Sequence, residues 1–172
     1  MKAFRQEFLS TLPFDYNGQQ SFEVINMAYG LIDEYHLKLS NIKKEANDFN
    51  NLEKLFELEQ SEYKELRDCQ SDLKNLKIMW DSIGMINHQY KDWKSQSWRR
   101  MKADSLIEQN KVLQLQLKNL PRDIKNFKGY NSIIDQVKNM GVVLPLVSSL
   151  HSEFMEKRHW KQLQDLTEKK FD

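Results

Sequence analysis

The sequence predicts an all-α protein in which long antiparallel helices form an elongated helical bundle. Only 5 Gly and 3 Pro interrupt the 172 residues, so few turns are available for a many-stranded sheet. Apolar residues recur every three or four positions over long stretches, which is the period of one face of a helix. Hydrophobic residues make up 40% of the chain and charged residues 30%, a composition too apolar for a disordered chain.

Residues 1–20 are predicted to form an irregular leader. Pro13 disfavours helical geometry at the residue before it, and Asn17-Gly18 marks a turn.

Residues 21–98 are predicted to form a long antiparallel helix pair. Ser21 is a suitable N-cap for the first helix, which we expect to end near Asn50. Ser61 is a suitable N-cap for the second helix, and Gly84 within it permits a local kink. The second helix carries a heptad-like seam, which predicts that the first helix folds back against it. The seam comprises Leu66, Cys69, Leu73, Leu76, Trp80, Ile83, Asn87 and Tyr90.

Residues 99–172 are predicted to form shorter helices. The third helix begins near Arg99 or Asp104 and ends at Leu120-Pro121, because proline cannot continue the hydrogen-bond ladder. A fourth helix then runs from Pro121 to a stop at Gly141. The apolar run 142–147 predicts a short buried helix that starts at Pro145, with a buried strand as the alternative. A last helix holds Phe154, Met155, Trp160, Leu163 and Leu166.

Catalytic and cofactor motifs are missing from the sequence. None of the five glycines begins a P-loop or a dinucleotide fingerprint, so this segment is predicted not to be an enzyme and to bind no cofactor. None of the four histidines pairs with another at helical spacing; His151 and His159 are about two turns apart and are interpreted as solvated or capping residues. Cys69, the single cysteine, is interpreted as a buried hydrophobic residue and indicates a reducing compartment.

The charge balance gives no reason to expect a nucleic-acid or membrane partner. Lys and Arg total 26 against 25 Asp and Glu. The basic stretch from Arg99 to Lys128 is interleaved with acidic residues and is interpreted as a solvated helix face. No apolar window approaches the roughly 20 residues of a membrane span, and no signal sequence is evident.

The C-terminal pattern of the chain resembles the dynein heavy chain where its tail joins the linker. The resemblance rests on Leu144-Pro-Leu146, Leu150, Met155-x-x-Arg158-His159-Trp160, Leu163 and Leu166-Thr167, and extends back to about residue 50 through Met79-Trp80, Asp92-Trp93, Trp98 and Leu120-Pro121. The Trp93/Trp98 pair is more similar to axonemal than to cytoplasmic members. The structural signature is Trp80, Trp93, Trp98, Arg158, His159 and Trp160.

The signature residues have a packing interpretation that needs no binding site. Trp80 is expected in the core, and Trp93 and Trp98 at a corner between helices. Trp160 is expected to pack inward, while Arg158 and His159 make local polar contacts.

The resemblance implies a structural, force-transmitting segment without chemistry of its own. Residues 21–98 would be the end of the tail and 99–172 the start of the linker, which couples nucleotide-driven movement of an AAA+ motor ring to the tail. ATP and magnesium would bind in that ring, and microtubules at a stalk, both outside this segment. The implied partners are the rest of the heavy chain and other dynein chains, in the cytoskeleton of the ciliary axoneme. The alternative is a free-standing helical-bundle or coiled-coil interaction module.

Overall fold

Helices account for all the regular secondary structure in the described part of the chain, residues 2–18 and 21–169 of a computed structural model. In chain order they are α1 (Lys2–Thr11), α2 (Phe22–Leu55), α3 (Lys64–Ser95), a 3₁₀ helix (Trp98–Arg100), α4 (Ala103–Lys118), α5 (Arg122–Lys125), α6 (Lys128–Leu150) and α7 (Lys157–Thr167). The predicted all-α helical bundle is confirmed.

The helices α2 and α3 form the predicted long antiparallel pair. The Ser21 hydroxyl accepts a hydrogen bond from the N–H of Glu23, as expected of the N-cap. At 34 residues, α2 is roughly 51 Å long. Tyr29, near the start of α2, donates a hydrogen bond of 2.7 Å to Asp81 in the second half of α3. All eight residues of the predicted α3 seam are buried, and α3 continues without interruption through Gly84.

The connection between α2 and α3 differs from the prediction at both ends. The helix α2 does not end near Asn50 but continues to Leu55, because the small propensity cost of each Asn is outweighed by propagation of a helix already formed. Ser61 is not the N-cap of α3, which begins at Lys64. Instead, the Ser61 hydroxyl and N–H each donate to the Glu53 carboxylate at 2.7 Å, which closes the connection.

The predicted irregular leader is wrong for residues 2–11, which form α1. Phe8 is fully buried, and its ring meets that of Tyr35 edge-on at 5.7 Å. Arg5 donates hydrogen bonds to Asp72 and to the sulfur of Cys69 on α3. This tertiary packing stabilises a helix of only ten residues, which would be marginal alone. Residues 1, 19 and 20 of the predicted leader lie outside the described residues.

A second antiparallel pair is formed by α4 and α6. The Asn110 amide on α4 donates to the carbonyl oxygen of Val137 on α6 at 3.1 Å and accepts from the Tyr90 hydroxyl of α3 at 2.8 Å. Asn110 is only 2% exposed, so these two bonds satisfy a buried amide and join three helices.

The helix predicted from Pro121 to Gly141 is divided at its start. The one-turn α5 ends at Lys125, and α6 begins at Lys128. The break occurs where the N–H of Gly129 donates to the carbonyl oxygen of Phe14 at 3.0 Å. A Cβ atom at Gly129 would lie 3.2 Å from that oxygen and 2.8 Å from Cε of Met79, so the close approach depends on glycine.

The stop at Gly141 and the separate buried helix at Pro145 are both wrong. The helix α6 runs through both residues to Leu150, with Pro145 on its exposed side. The apolar run is also mostly uncovered, since Val142 is 69% and Leu146 61% exposed while Leu144 alone is buried.

The last helix is shorter than predicted, because Phe154 and Met155 precede α7. Residues 170–172 lie outside the described residues. One apolar core contains residues from every helix from α1 to α6 and crosses position 98. The division of the chain into 21–98 and 99–172 therefore stays a prediction.

Candidate functional site

An aromatic contact connects α7 to the helices α1 to α6, which share one core and which we call the helical body. The ring of Trp98, in the 3₁₀ helix, meets the ring of Trp160 edge-on at 5.8 Å between centroids. Its other neighbour is His151, at the end of α6, at 5.4 Å. We call Trp98, His151 and Trp160 the aromatic junction.

A hydrogen bond fixes His151 in the aromatic junction. Its Nε2 lies 2.8 Å from the carbonyl oxygen of Trp98. Because a carbonyl oxygen only accepts, Nε2 carries a hydrogen. The imidazole thereby ties the C-terminal end of α6 to the segment that precedes α4.

Arg158 and His159 cap the first turn of α7. The N-cap is Glu156, whose carboxylate accepts from the backbone of His159, while Nδ1 of His159 accepts from the N–H of Glu156 at 3.2 Å. Arg158 pairs with the same carboxylate, with its Nε 3.0 Å from Oε2. Glu156 and Arg158 are exposed, so their ion pair adds little stability beyond the cap itself. The interpretation of Arg158 and His159 as local polar contacts agrees with this geometry.

Trp80 lies in the core, away from the aromatic junction. It is 1% exposed, its Nε1 donates to the carbonyl oxygen of Pro13 at 2.8 Å, and its ring meets Tyr16 edge-on at 5.7 Å. Its position in the core agrees with the sequence interpretation.

Trp93 lies in the last turn of α3, beside α4. Its ring is 5.0 Å from that of Tyr90, and its Nε1 donates to the side-chain oxygen of Gln109 on α4 at 3.1 Å. Trp93 is 6% exposed whereas Trp98 is 43% exposed. The two tryptophans thus have different roles: Trp93 packs the corner, and Trp98 presents a surface for Trp160.

Two of the six signature residues, Trp98 and Trp160, meet in the aromatic junction. The sequence reasoning missed His151 in that junction and Glu156 at the N-cap of α7. His151 carried no spacing signal that would relate it to Trp98. Glu156-x-x-His159 has the spacing of a capping box, but its residue types differ from the usual Ser/Thr and Glu/Gln, so the pattern alone does not indicate the cap.

The aromatic junction consists of two indole rings and one imidazole ring. No group of three or more His, Cys, Asp or Glu side chains able to hold a metal ion occurs in residues 2–18 and 21–169. Burial raises the pKa of the Cys69 thiol, and this effect outweighs the opposite effect of Arg5. The raised pKa disfavours the nucleophilic thiolate. None of the described helices combines the length with the apolar character that a membrane span requires. The arrangement is suited to holding helices in place.

The chain is an all-α helical bundle, and comparison with known proteins gives its family. The family described as "Dynein heavy chain, N-terminal region 2" matches residues 66–172. The chain is 32% identical to the flagellar outer-arm dynein beta chain of Chlamydomonas reinhardtii, across 99% of its own length and 4% of that protein. It is 27% identical to the ciliary dynein beta chain of Tripneustes gratilla (98% and 4%) and 28% identical to mouse dynein axonemal heavy chain 17 (98% and 4%). The chain belongs to the dynein heavy chain family.

The similarity covers more of the chain than the motifs indicated. Those motifs reached back only to about residue 50, whereas the relatives align over nearly the entire chain, so α1 and α2 are also family elements. The chain spans about 4% of the length of these relatives, which are flagellar, ciliary and axonemal chains.

Proposed function

We propose that this chain is a force-transmitting segment of an axonemal dynein heavy chain, at the junction of tail and linker. It would couple nucleotide-driven movement of the linker to the tail. Its partners would be the rest of the heavy chain, including the AAA+ ring, together with other dynein chains in the axoneme. ATP and magnesium would act in the ring, and microtubules would bind through the stalk, both outside this segment.

The observation that carries the proposal is the contrast between the continuous core and the attachment of α7. Residues from α1 to α6 share one apolar core, while α7 has no buried residue of its own. A close-packed core resists gradual deformation, so a force applied at one end displaces it as a unit. Bending would then be concentrated at residues 151–156, between α6 and α7.

The exposed apolar surface near the C-terminal end also supports a role inside a longer chain. Phe154 is 87% and Leu166 83% exposed, and an open groove of about 500 Å³ between α6 and α7 is lined by these residues with Leu150, Met155 and Leu163. Apolar surface of this kind is usually covered by a partner.

An insertion in a complete heavy chain that contains this segment tests the proposal. Six Gly/Ser residues placed after Ser152 would decouple α7 from the body, because a flexible linker transmits no bending moment. We expect ATP turnover to be retained and microtubule gliding to slow several-fold. The matched control places the same insertion after Gly18, between α1 and α2, where it is not in series with α6 and α7.

Two results would contradict the proposal. Equal gliding speeds for the two insertions would remove the role of the α6–α7 connection. A parent transcript that encodes no AAA+ modules would remove the motor altogether.

A free-standing interaction module is the second candidate, favoured by the continuity of the core from α1 to α6. Limited proteolysis of this chain separates the two functions. Resistance throughout 2–167 would favour the module, whereas rapid cleavage between α6 and α7 would favour the motor segment.

A further inference from the structure

The connection between α2 and α3 carries the most concentrated apolar exposure in the first half of the chain. Five large side chains within ten residues are at least half exposed: Phe49 (58%), Leu52 (50%), Leu55 (74%), Phe56 (69%) and Leu58 (62%). We call these five residues the hairpin surface. Three of them, Phe49, Leu52 and Phe56, follow at intervals of three and four residues and so share one face, and exposed apolar surface concentrated in this way marks an interaction site.

The hairpin surface continues the face of α2 that contacts α1. Tyr35, Ile42, Phe49 and Phe56 follow one another at intervals of seven residues and therefore share one side of the helix. At Tyr35 this side is covered by α1, whose Phe4 and Phe8 rings lie 6.1 and 5.7 Å from the tyrosine ring. Further along this side, Ile42 is partly buried against the core, and Phe49 and Phe56 are exposed.

The exposed part of this side is long enough to receive a helix. Phe49 and Phe56 are seven positions apart, or roughly 10 Å of helix, and Leu58 lies beyond them. A helix of about 18 residues, roughly 27 Å long, would cover this stretch together with residues on either side of it.

Acidic residues surround the hairpin surface. Between Glu45 and Glu65 there are seven acidic and two basic side chains, a net charge of −5 in a chain whose formal net charge is +1. This charge would repel nucleic acid and anionic lipid and would attract a basic protein segment.

We propose that the hairpin surface docks an amphipathic helix of a second polypeptide, whose apolar face is bordered by lysine and arginine. The apolar side chains would bury Phe49, Leu52 and Phe56, in the mode of a helix bound on a hydrophobic groove. The basic side chains would face the acidic border, which sets the orientation and makes binding sensitive to salt.

A pair of labelled peptides tests the proposal by fluorescence anisotropy with the intact chain. Both are designed 18-residue helices with leucines at positions i, i+3, i+4 and i+7; one carries lysines beside the leucines and the other glutamates. We expect the lysine peptide to bind at least about tenfold more tightly, and the difference to shrink at 0.5 M salt. Equal affinities for the two peptides would overturn the proposal.

Substitutions in the hairpin surface show where on the chain the lysine peptide binds. The double variant Phe49→Gln/Leu52→Gln should weaken binding of the lysine peptide by at least about tenfold, since it removes the central apolar contacts. Leu37→Gln is the matched control, because Leu37 is 66% exposed on the same helix but outside the hairpin surface. Circular dichroism melts confirm that both variants fold. An equal loss in both variants would place the peptide elsewhere and refute the site.

A second copy of this chain is the competing occupant, because α7 is an exposed helix that carries Lys157, Arg158 and Lys161. Sedimentation across a hundredfold concentration range distinguishes the two. A monomer at all concentrations supports a separate partner, whereas self-association that Phe49→Gln/Leu52→Gln abolishes would show a self-interface and overturn the proposal.

Discussion

Removal of either tryptophan of the aromatic junction is expected to release α7 while leaving the helical body folded. The relevant variants are Trp98→Ala, Trp160→Ala and the double variant. The two rings meet edge-on at 5.8 Å, and no residue of α7 is buried, so this contact is a principal attachment of α7. An isolated helix of eleven residues is marginal in water, which means that α7 depends on the attachment.

The size of the effect follows from the geometry. An edge-to-face aromatic pair contributes about 0.5–1.5 kcal/mol beyond the area that it buries. If that pair limits opening of α7, amide exchange there should accelerate by roughly two- to twelvefold. The double variant should lose little more than either single variant, because both substitutions remove the same contact. The free energy of global unfolding should change much less, since the continuous core involves α1 to α6.

Hydrogen exchange with mass spectrometry measures this directly, by comparing peptides from α7 with peptides from α3. Leu166→Ala is the control, because Leu166 lies on the same helix and is 83% exposed. The reasoning fails if α7 keeps its protection in Trp160→Ala, if the two single effects add fully, or if α3 loses protection to the same degree.

Three further predictions concern the stability of the body. Gly30→Ala should raise the free energy of unfolding by about 0.5–1 kcal/mol, because nothing lies within 4 Å of the new Cβ. Gly129→Ala should lower the free energy of unfolding, because a Cβ at that site would be too close to Met79 and to the Phe14 carbonyl oxygen. Urea titrations of the two variants measure both changes. Asn110→Ala should cost about 2–4 kcal/mol in the same assay, since it unpairs two buried groups, and a loss below 1 kcal/mol would contradict the hydrogen bonds. The hydrogen bonds from the Ser61 hydroxyl and N–H lower the pKa of Glu53 below its ordinary 4.5. Their contribution to stability is therefore present above pH 4.5 and is lost as the pH falls through the lowered pKa. In an NMR titration, Ser61→Ala should move the midpoint of the Glu53 titration upward.

The long helices were predictable because their apolar periodicity is extended and each finds a partner. Every residue in the α3 seam is buried, and Ser21 caps α2 as its residue type indicates. Local signals were less informative where tertiary contacts override them. Pro145 and Gly141 are typical of helix ends, yet α6 passes through both, since the flanking turns are held by α4 through contacts such as Asn110 with Val137.

The position of α1 and the composition of the aromatic junction were not predictable from local pattern. A ten-residue amphipathic segment becomes a helix only when a surface receives Phe8, and that surface is built by residues more than 25 positions away. Likewise, Trp98 meets His151 across 53 positions, a separation that carries no periodic signal. The signature motif identified the family without revealing that its tryptophan pairs with an earlier tryptophan.

Two buried amides, those of Asn87 and Asn110, fix the register of the helices in a way that apolar side chains alone would not. A seam of similar aliphatic side chains tolerates sliding by one turn at modest cost, because the lost contacts are replaced by similar ones. The buried amides of Asn87 and Asn110 cannot be displaced in this way: Asn87 donates to Tyr16 at 2.9 Å and accepts from Gln136 at 3.3 Å, so a slip would leave polar groups unpaired in the core. A segment that transmits force must keep its helices in register under load. The placement of these amides between α3 and its neighbours meets that requirement of the proposed function.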